Sequence, residues 1–222
     1  MQKHLQSTMF FDYDSPVVQE FAQREVAGAK TDIKKAIRLY YAVRDQIRYD
    51  PYKFYLTEEN FKASHTLKEG ASYCIPKAVL LVAAARAVGI PAQLGFSDVR
   101  NHLSTQKLLD LMGTDVFIWH GYAVLYLNNK WVKATPAFNL EMCQRFGVKP
   151  LEFDGENDSF MHAYNQNDEK HMEYLTDHGV FSDLPYQDII QAIKQTYPKF
   201  CTLLEQQAVE KEHNFEKEKI LS

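Results

Sequence analysis

The stretch IPKAVLLVAAARAV at residues 75–88 constrains the fold more than any other part of this sequence. It is apolar almost all round at helical spacing, and a helix of that kind has to be buried on every side. Pro76 suits the first turn of a helix, and Gly89 suits a C-terminal cap. We therefore predict a central, fully covered helix that begins at or beside Cys74.

The flanking segments predict what covers this helix. Helix starts are indicated at Ser15-Pro16 and at Thr31-Asp32, and the second helix is expected to end before Pro51. Strands are predicted over residues 92–99, 117–127 and 130–138, with a tight turn at Asn128-Asn129. Helices followed by antiparallel strands are typical of an α+β fold, here with a cysteine-bearing central helix packed on an antiparallel β-sheet.

A length of 222 residues suits a single domain, 1–222, with an N-terminal helix and a C-terminal helical extension. Residues 52–73 show no sustained period and are expected to form a long surface segment. Residues 139–184 are expected to hold only short, mixed elements. A capped helix is predicted over DLPYQDIIQAIKQTY, residues 183–197.

Charge and composition exclude several classes of function. The net charge of −4 and the lack of a Lys/Arg block disfavour a nucleic acid or a membrane surface as partner. The N-terminus lacks the apolar core of a signal peptide, so we expect a cytoplasmic protein. Nucleotide, flavin and metal-site motifs are absent, and we expect no cofactor and no metal. Three scattered cysteines indicate neither a disulfide framework nor a zinc site.

Cys74 stands where a polar loop meets the central helix. The N-terminus of a helix stabilises a thiolate and lowers the thiol pKa, and the thiolate is the nucleophilic form of cysteine. A small apolar residue filling space at the head of a buried helix is an equally good interpretation. Cys143 and Cys201 are interpreted as core or semi-buried thiols.

His120 lies within the predicted strand FIWHGYAV. Strict alternation would place it on one face with Ile118 and Tyr122, while Trp119 and Gly121 would face the other way. A cysteine nucleophile needs a base within hydrogen-bond reach and a third group that orients the base. A strand histidine facing a helix N-terminus can be that base, although a histidine satisfied within the core is the commoner case.

The third group should come from the strand that follows. The sequence WVKATPAFN offers Thr135 and Asn139 as groups able to accept a hydrogen bond from the imidazole. Their structural alternatives are a hydroxyl at a strand end and an amide that caps a loop or helix.

Three segments, in this order, resemble the transglutaminase-like, papain-related superfamily in its bacterial form. They are YYAVRDQIRYDP, YCIPKAVLLVAAARAVGIPAQ and HGYAVLYLNNKWVKATPAF, and the resemblance covers about residues 30–140. It implies a catalytic site of Cys74, His120 and a third residue. Most members carry aspartate where this chain has Thr135. Threonine supplies no negative charge, so Asn139 is a second candidate for the third position, as in papain-like enzymes.

The resemblance implies acyl transfer or amide or peptide hydrolysis through a thioester on Cys74. The expected substrate is a peptide, a protein or a small amide. Hydrolysis is favoured because the chain has no EF-hand-like calcium loop. The alternative is a catalytically silent domain that binds a peptide or protein partner in the same cleft. The oligomeric state stays open.

Two further polar groups need a structural test. Asp98, Arg100, Asn101 and His102 follow a predicted strand and could line a pocket or cap a helix at the surface. A looser set has no metal-ligand spacing, and a metal site there is not expected; its members are His162, Asp168, Glu169, His171 and His178.

Overall fold

The computed structural model describes residues 1–102, 104–160, 167, 172–205, 215 and 218–219. The α-helices are α1 (Pro16–Glu25), α2 (Asp32–Gln46), α3 (Ala63–Glu69), α4 (Cys74–Ala87), α5 (Gln106–Met112), α6 (Leu140–Phe146), α7 (Tyr186–Thr196) and α8 (Pro198–Glu205). The strands are β1 (Arg48–Tyr49), β2 (Ala71–Ser72), β3 (Ala92–Asn101), β4 (Val116–Leu127), β5 (Lys130–Ala134) and β6 (Met172–Phe181).

The main sheet is antiparallel and carries the strand order β5-β4-β3-β6. Strand β4 therefore lies inside the sheet, with β3 on one side and β5 on the other. Strands β1 and β2 form a separate two-stranded parallel pair. Strand β1 follows α2 in the chain, and β2 directly precedes α4. Helices packed on an antiparallel sheet confirm the α+β prediction.

Helix α4 is the centre of the core. Every residue from Ile75 to Arg86 is buried, and helices α1, α2 and α3 pack on it together with β3 and β4. This confirms the prediction made from its apolar sequence. The burial is complete because the sheet covers the helix on one side and the three helices cover it on the other.

Two charged residues of α4 are buried with it, and both bind backbone carbonyls. The Lys77 amine donates to the carbonyls of Arg44, at 2.9 Å, and of Ile47 at the C-terminal end of α2. The Arg86 guanidinium donates to three carbonyls and lies 4.4 Å above the ring of Phe11. These bonds tie α2 and the N-terminal segment to α4.

The predicted helix starts and the hairpin turn are confirmed. Helix α1 begins at Pro16, and α2 begins after Thr31, whose hydroxyl accepts a hydrogen bond from the Lys34 amide at 3.3 Å. Asn128 and Asn129 have φ angles of 45° and 64°, the left-handed pair that a tight hairpin turn requires.

Two predictions along the chain are corrected. The segment 52–73 is not a surface loop, because Tyr52, Phe54 and Phe61 are buried and part of it forms α3. Strand β6 was not predicted within 139–184, because its sequence MEYLTDHGVF is half polar and lies at the edge of the sheet. Across the described ranges, none of the helices is long and apolar enough to cross a membrane.

Candidate active site

Cys74 is the first residue of α4 and follows the N-cap residue Tyr73. Cys74 is partly exposed as a residue, whereas Cys143 and Cys201 are buried. The prediction that those two cysteines are core or semi-buried thiols is confirmed. Cys74 is therefore the least buried cysteine of the three.

A bulge in β4 sets the position of His120. Ser97 pairs with His120 and Val99 pairs with Phe117, so two residues of β4 oppose the single residue Asp98. Trp119, in the bulge, has a φ angle of 57°, which is rare for a residue with a side chain. The alternation assumed from the sequence is thus wrong at this point. Phe117, rather than Ile118, falls on the face that carries His120.

Asp98 and His178 hold this bulge. The Asp98 carboxylate accepts the Trp119 amide hydrogen at 2.9 Å and lies 2.7 Å from the Nε2 atom of His178. The indole of Trp119 stacks on the His178 imidazole with centroids 4.3 Å apart. These contacts fix the backbone immediately before His120. The sequence had singled out Asp98 and His178 separately, and their pairing depends on strand β6.

Gly121 lets the start of α4 approach the strand. A Cβ atom at this position would lie 3.1 Å from the Cα of Ile75, which is tighter than ordinary packing allows. Because Ile75 follows Cys74 and Gly121 follows His120, this contact places the first turn of α4 against the part of β4 that carries His120.

A cavity of about 100 Å³ opens at this junction, and we call it the Cys74 cavity. Cys74 and His120 both line it, and most of its other lining residues are aromatic or aliphatic. Three of its residues carry a buried polar atom that has no hydrogen-bond partner within the described residues. These atoms are the Tyr73 hydroxyl, the Ser104 hydroxyl and the His120 Nε2.

Burial dominates the protonation of both candidate catalytic groups. Desolvation raises the pKa of Cys74 to about 11, although hydrogen bonds from the backbone N–H groups of Gly121, Ile75 and Cys74 itself oppose the rise. Desolvation lowers the pKa of His120 to about 4. At pH 7 the Cys74 thiol and the His120 imidazole are therefore both neutral. The lowered thiol pKa expected from the helix N-terminus is not found, because loss of hydration outweighs the helix dipole here.

The two candidates for the third position bond elsewhere in this structure. The Thr135 hydroxyl donates to the Phe160 carbonyl at 3.1 Å. The Asn139 side-chain oxygen accepts the Tyr49 amide hydrogen at 3.0 Å. With the His120 Nε2 atom unpartnered in the described part of the chain, the identity of an orienting group stays a prediction.

The family model of the transglutaminase-like superfamily matches residues 19–136, just over half of the chain. The chain belongs to the transglutaminase-like superfamily. The matched range includes Cys74, His120 and Thr135, while Asn139 lies just beyond it. No curated protein matches the chain significantly.

Two solved structures are similar to this transglutaminase-like chain. A "Putative Cysteine Protease from Cytophaga hutchinsonii" is 20% identical over 60% of this chain and 40% of its own, with a TM-score of 0.46. A "Putative Protease from Parabacteroides distasonis" is 14% identical over 57% of this chain and 26% of its own, with a TM-score of 0.39. This chain thus spans less than half the length of either protein.

The remaining polar candidates divide between cavity and surface. Asn101 lines the Cys74 cavity. Arg100 pairs with Asp115 at 3.3 Å, and His102 pairs with Glu173 at 3.0 Å on the surface. Of the loose histidine set, His162, Asp168, Glu169 and His171 lie outside the described residues. Among the residues that are described, no cluster of three metal-ligating side chains occurs.

Gly121→Ala is expected to disturb the site of this transglutaminase-like domain more than its fold. The new methyl group must push Ile75, and with it Cys74, away from β4 by a few tenths of an ångström. We expect acylation of Cys74 to slow by about tenfold or more, with a loss of stability of about 1–3 kcal/mol. Acylation kinetics and guanidinium unfolding measure the two effects. Gly28→Ala is the control at a glycine that does not line the Cys74 cavity, and an equal rate loss in both variants would contradict the close-approach role.

Proposed function

We propose that this domain is a thiol-dependent enzyme that transfers or hydrolyses acyl groups through a thioester on Cys74. One observation carries the proposal. The thiol of Cys74, at the first residue of the buried helix α4, and the buried imidazole of His120 line one cavity, and both residues lie within the region that matches the superfamily.

The residues supply each part of such a reaction. The Cys74 sulfur forms a bond to the carbonyl carbon of an amide or ester while His120 takes the thiol proton. The carbon–nitrogen or carbon–oxygen bond then breaks, and His120 returns the proton to the leaving group. Backbone N–H groups at the start of α4 and at Gly121 are available to stabilise the oxyanion. Water or an amine then attacks the thioester.

The two pKa values set the cost of this proton transfer: moving a proton from the Cys74 thiol, with a pKa of about 11, to the His120 imidazole, with a pKa of about 4, is unfavourable in the free protein. A neutral imidazole can accept the thiol proton as the carbonyl is attacked, so no preformed ion pair is needed. The low pKa of His120 keeps it in the basic form throughout the neutral range.

A second candidate function rests on a separate observation. Thr135 and Asn139 bond to other groups, and the Nε2 atom of His120 has no hydrogen-bond partner within the described ranges. A domain built in this way could bind a peptide or protein partner in the cleft without catalysis.

Trapping of the covalent intermediate separates the two functions. The protein is mixed with p-nitrophenyl acetate, quenched in acid and mapped by peptide mass spectrometry. An acetyl group on Cys74, with Cys143 and Cys201 unmodified, is the expected result. An absence of any Cys74 adduct across a panel of activated esters and anilides would favour the binding domain instead.

A further inference from the structure

The Cys74 cavity is bounded in part by a residue from the far end of the chain. The ring of Phe215 is buried and lines the cavity, although Phe215 is 141 positions after Cys74 in the sequence. Its centroid lies 5.3 Å from that of Phe146 and 6.0 Å from that of Tyr49. The C-terminal segment therefore contributes an aromatic wall to the space beside the thiol.

A buried carboxylate three residues later keeps Phe215 in place. The Glu218 side chain accepts hydrogen bonds from the Tyr52 hydroxyl at 2.8 Å and the Thr105 hydroxyl at 2.5 Å. The Arg145 guanidinium donates to the Glu218 backbone carbonyl at 2.8 Å. Three separate elements thus hold this end of the chain against the cavity.

The residues that line the Cys74 cavity disfavour a charged ligand group. Its described lining residues include no lysine, arginine, aspartate or glutamate, and His120 is neutral at pH 7 because burial lowers its pKa to about 4. A carboxylate or an ammonium group placed here would lose its hydration and gain no opposite charge. An apolar group would gain from leaving water.

The unpartnered polar atoms indicate that the occupant is not a pure hydrocarbon. The hydroxyls of Tyr73 and Ser104 are buried and without partners among the described residues, and both residues line this cavity. Buried polar atoms normally have a hydrogen-bond partner. A carbonyl group carried by an apolar chain supplies an acceptor for them.

We propose that the Cys74 cavity is an acyl site for an uncharged, mainly apolar acyl group, held with its carbonyl carbon at the Cys74 sulfur. This inference rests on the proposed function for the chemistry of the thiol. Since a cavity of about 150 Å³ holds benzene, the volume of about 100 Å³ fits a short alkyl chain or at most a small ring.

Two esters of matched length test the proposal. p-Nitrophenyl pentanoate ends in a methyl group, and the p-nitrophenyl monoester of glutaric acid ends in a carboxylate. In each reaction the Cys74 sulfur bonds to the acyl carbon, the ester carbon–oxygen bond breaks, p-nitrophenolate leaves, and the thiol proton passes through His120 to solvent. We expect the neutral ester to acylate Cys74 at least about 100-fold faster. Equal rates for the two esters would overturn the acyl site and leave the proposed function intact.

Phe215→Ala tests whether the Phe215 ring limits the length of the acyl group that the cavity accepts. Loss of the ring should lengthen the site, so the rate with p-nitrophenyl decanoate is expected to rise about tenfold relative to the pentanoate. Trp131→Ala is the control, because Trp131 is an exposed aromatic residue that does not line the cavity. An unchanged chain-length preference in a folded Phe215→Ala variant would contradict the assignment.

A binding measurement decides the case in which no ester acylates the protein. Two ligands are each mixed with the Cys74→Ala variant and followed by ligand-observed NMR. They are pentanamide, which is uncharged, and the monoamide of glutaric acid, which ends in a carboxylate. Saturation transfer to pentanamide alone would support the uncharged site while the proposed catalytic function fails. Equal transfer to both amides, or transfer to neither, would overturn the site.

Discussion

His120→Ala is expected to slow acylation of Cys74 at pH 7 by about 100- to 10,000-fold, the range that a general base contributes. With its pKa raised to about 11, the thiol is ionised at pH 7 in only about one molecule in ten thousand. Attack therefore depends on a base that removes the proton during the reaction. His120, whose pKa is lowered to about 4, is uncharged and able to do so.

The pH profile distinguishes lost base catalysis from a damaged fold. The wild-type rate should rise as His120 loses its proton near pH 4 and stay level through neutrality. The acylation rate of His120→Ala should instead rise about tenfold per pH unit until the Cys74 thiol ionises near pH 11. His102→Ala, which removes an exposed imidazole paired with Glu173, should keep the wild-type profile. Parallel profiles in wild type and His120→Ala would rule out His120 as the base.

Lys77→Met is expected to change the pH dependence of stability by about 2 kcal/mol between pH 7 and pH 9. Burial lowers the pKa of Lys77 to about 7, while an unfolded lysine keeps a pKa of about 10.4. Between those values the unfolded chain binds more protons than the folded one. The Lys77 contribution to the free energy of unfolding therefore rises with pH in this window, and the methionine variant lacks that rise.

The measured quantity is the difference in unfolding free energy between wild type and Lys77→Met, from guanidinium unfolding at pH 7, 8 and 9. Burial also raises the pKa of Cys74 and Cys143, which lowers stability as pH rises above about 8.5, but both proteins share this effect and it cancels in the difference. Lys68→Met removes an exposed lysine and is the control. Its difference in unfolding free energy from wild type should stay constant between pH 7 and pH 9. A wild-type minus Lys77→Met difference that stays constant over this range would show that Lys77 keeps an ordinary pKa.

Local sequence patterns predicted the elements whose structure depends on local physics. The apolar run after Cys74 could only be a buried helix, and Asn128-Asn129 could adopt the left-handed turn that joins β4 to β5. The succession of helices and strands was sufficient for the α+β class. The placement of Cys74 at the head of α4 followed from the same run.

Features that depend on distant segments were not predictable in this way. The bulge at Trp119 breaks the alternation in β4, and it is held by Asp98 and His178 from two other strands. Strand β6 has a mixed sequence and becomes a strand because β3 offers it an unpaired edge. The burial of Tyr52 and Phe54 likewise depends on distant residues, since Tyr52 donates a hydrogen bond to the Glu218 carboxylate and the ring of Phe54 lies 5.4 Å from that of Phe200.

The sequence by itself determined that a lone thiol heads a buried helix and that a histidine follows on a strand. The tertiary structure alone decided their protonation, since a pKa depends on how completely packing removes water, and burial desolvates both groups. It also decided the shape of the cavity, because Phe215 reaches Cys74 only after the chain has folded back through the contacts of Glu218. Helical periodicity is a short-range property, whereas desolvation and cavity walls arise from segments far apart in the chain.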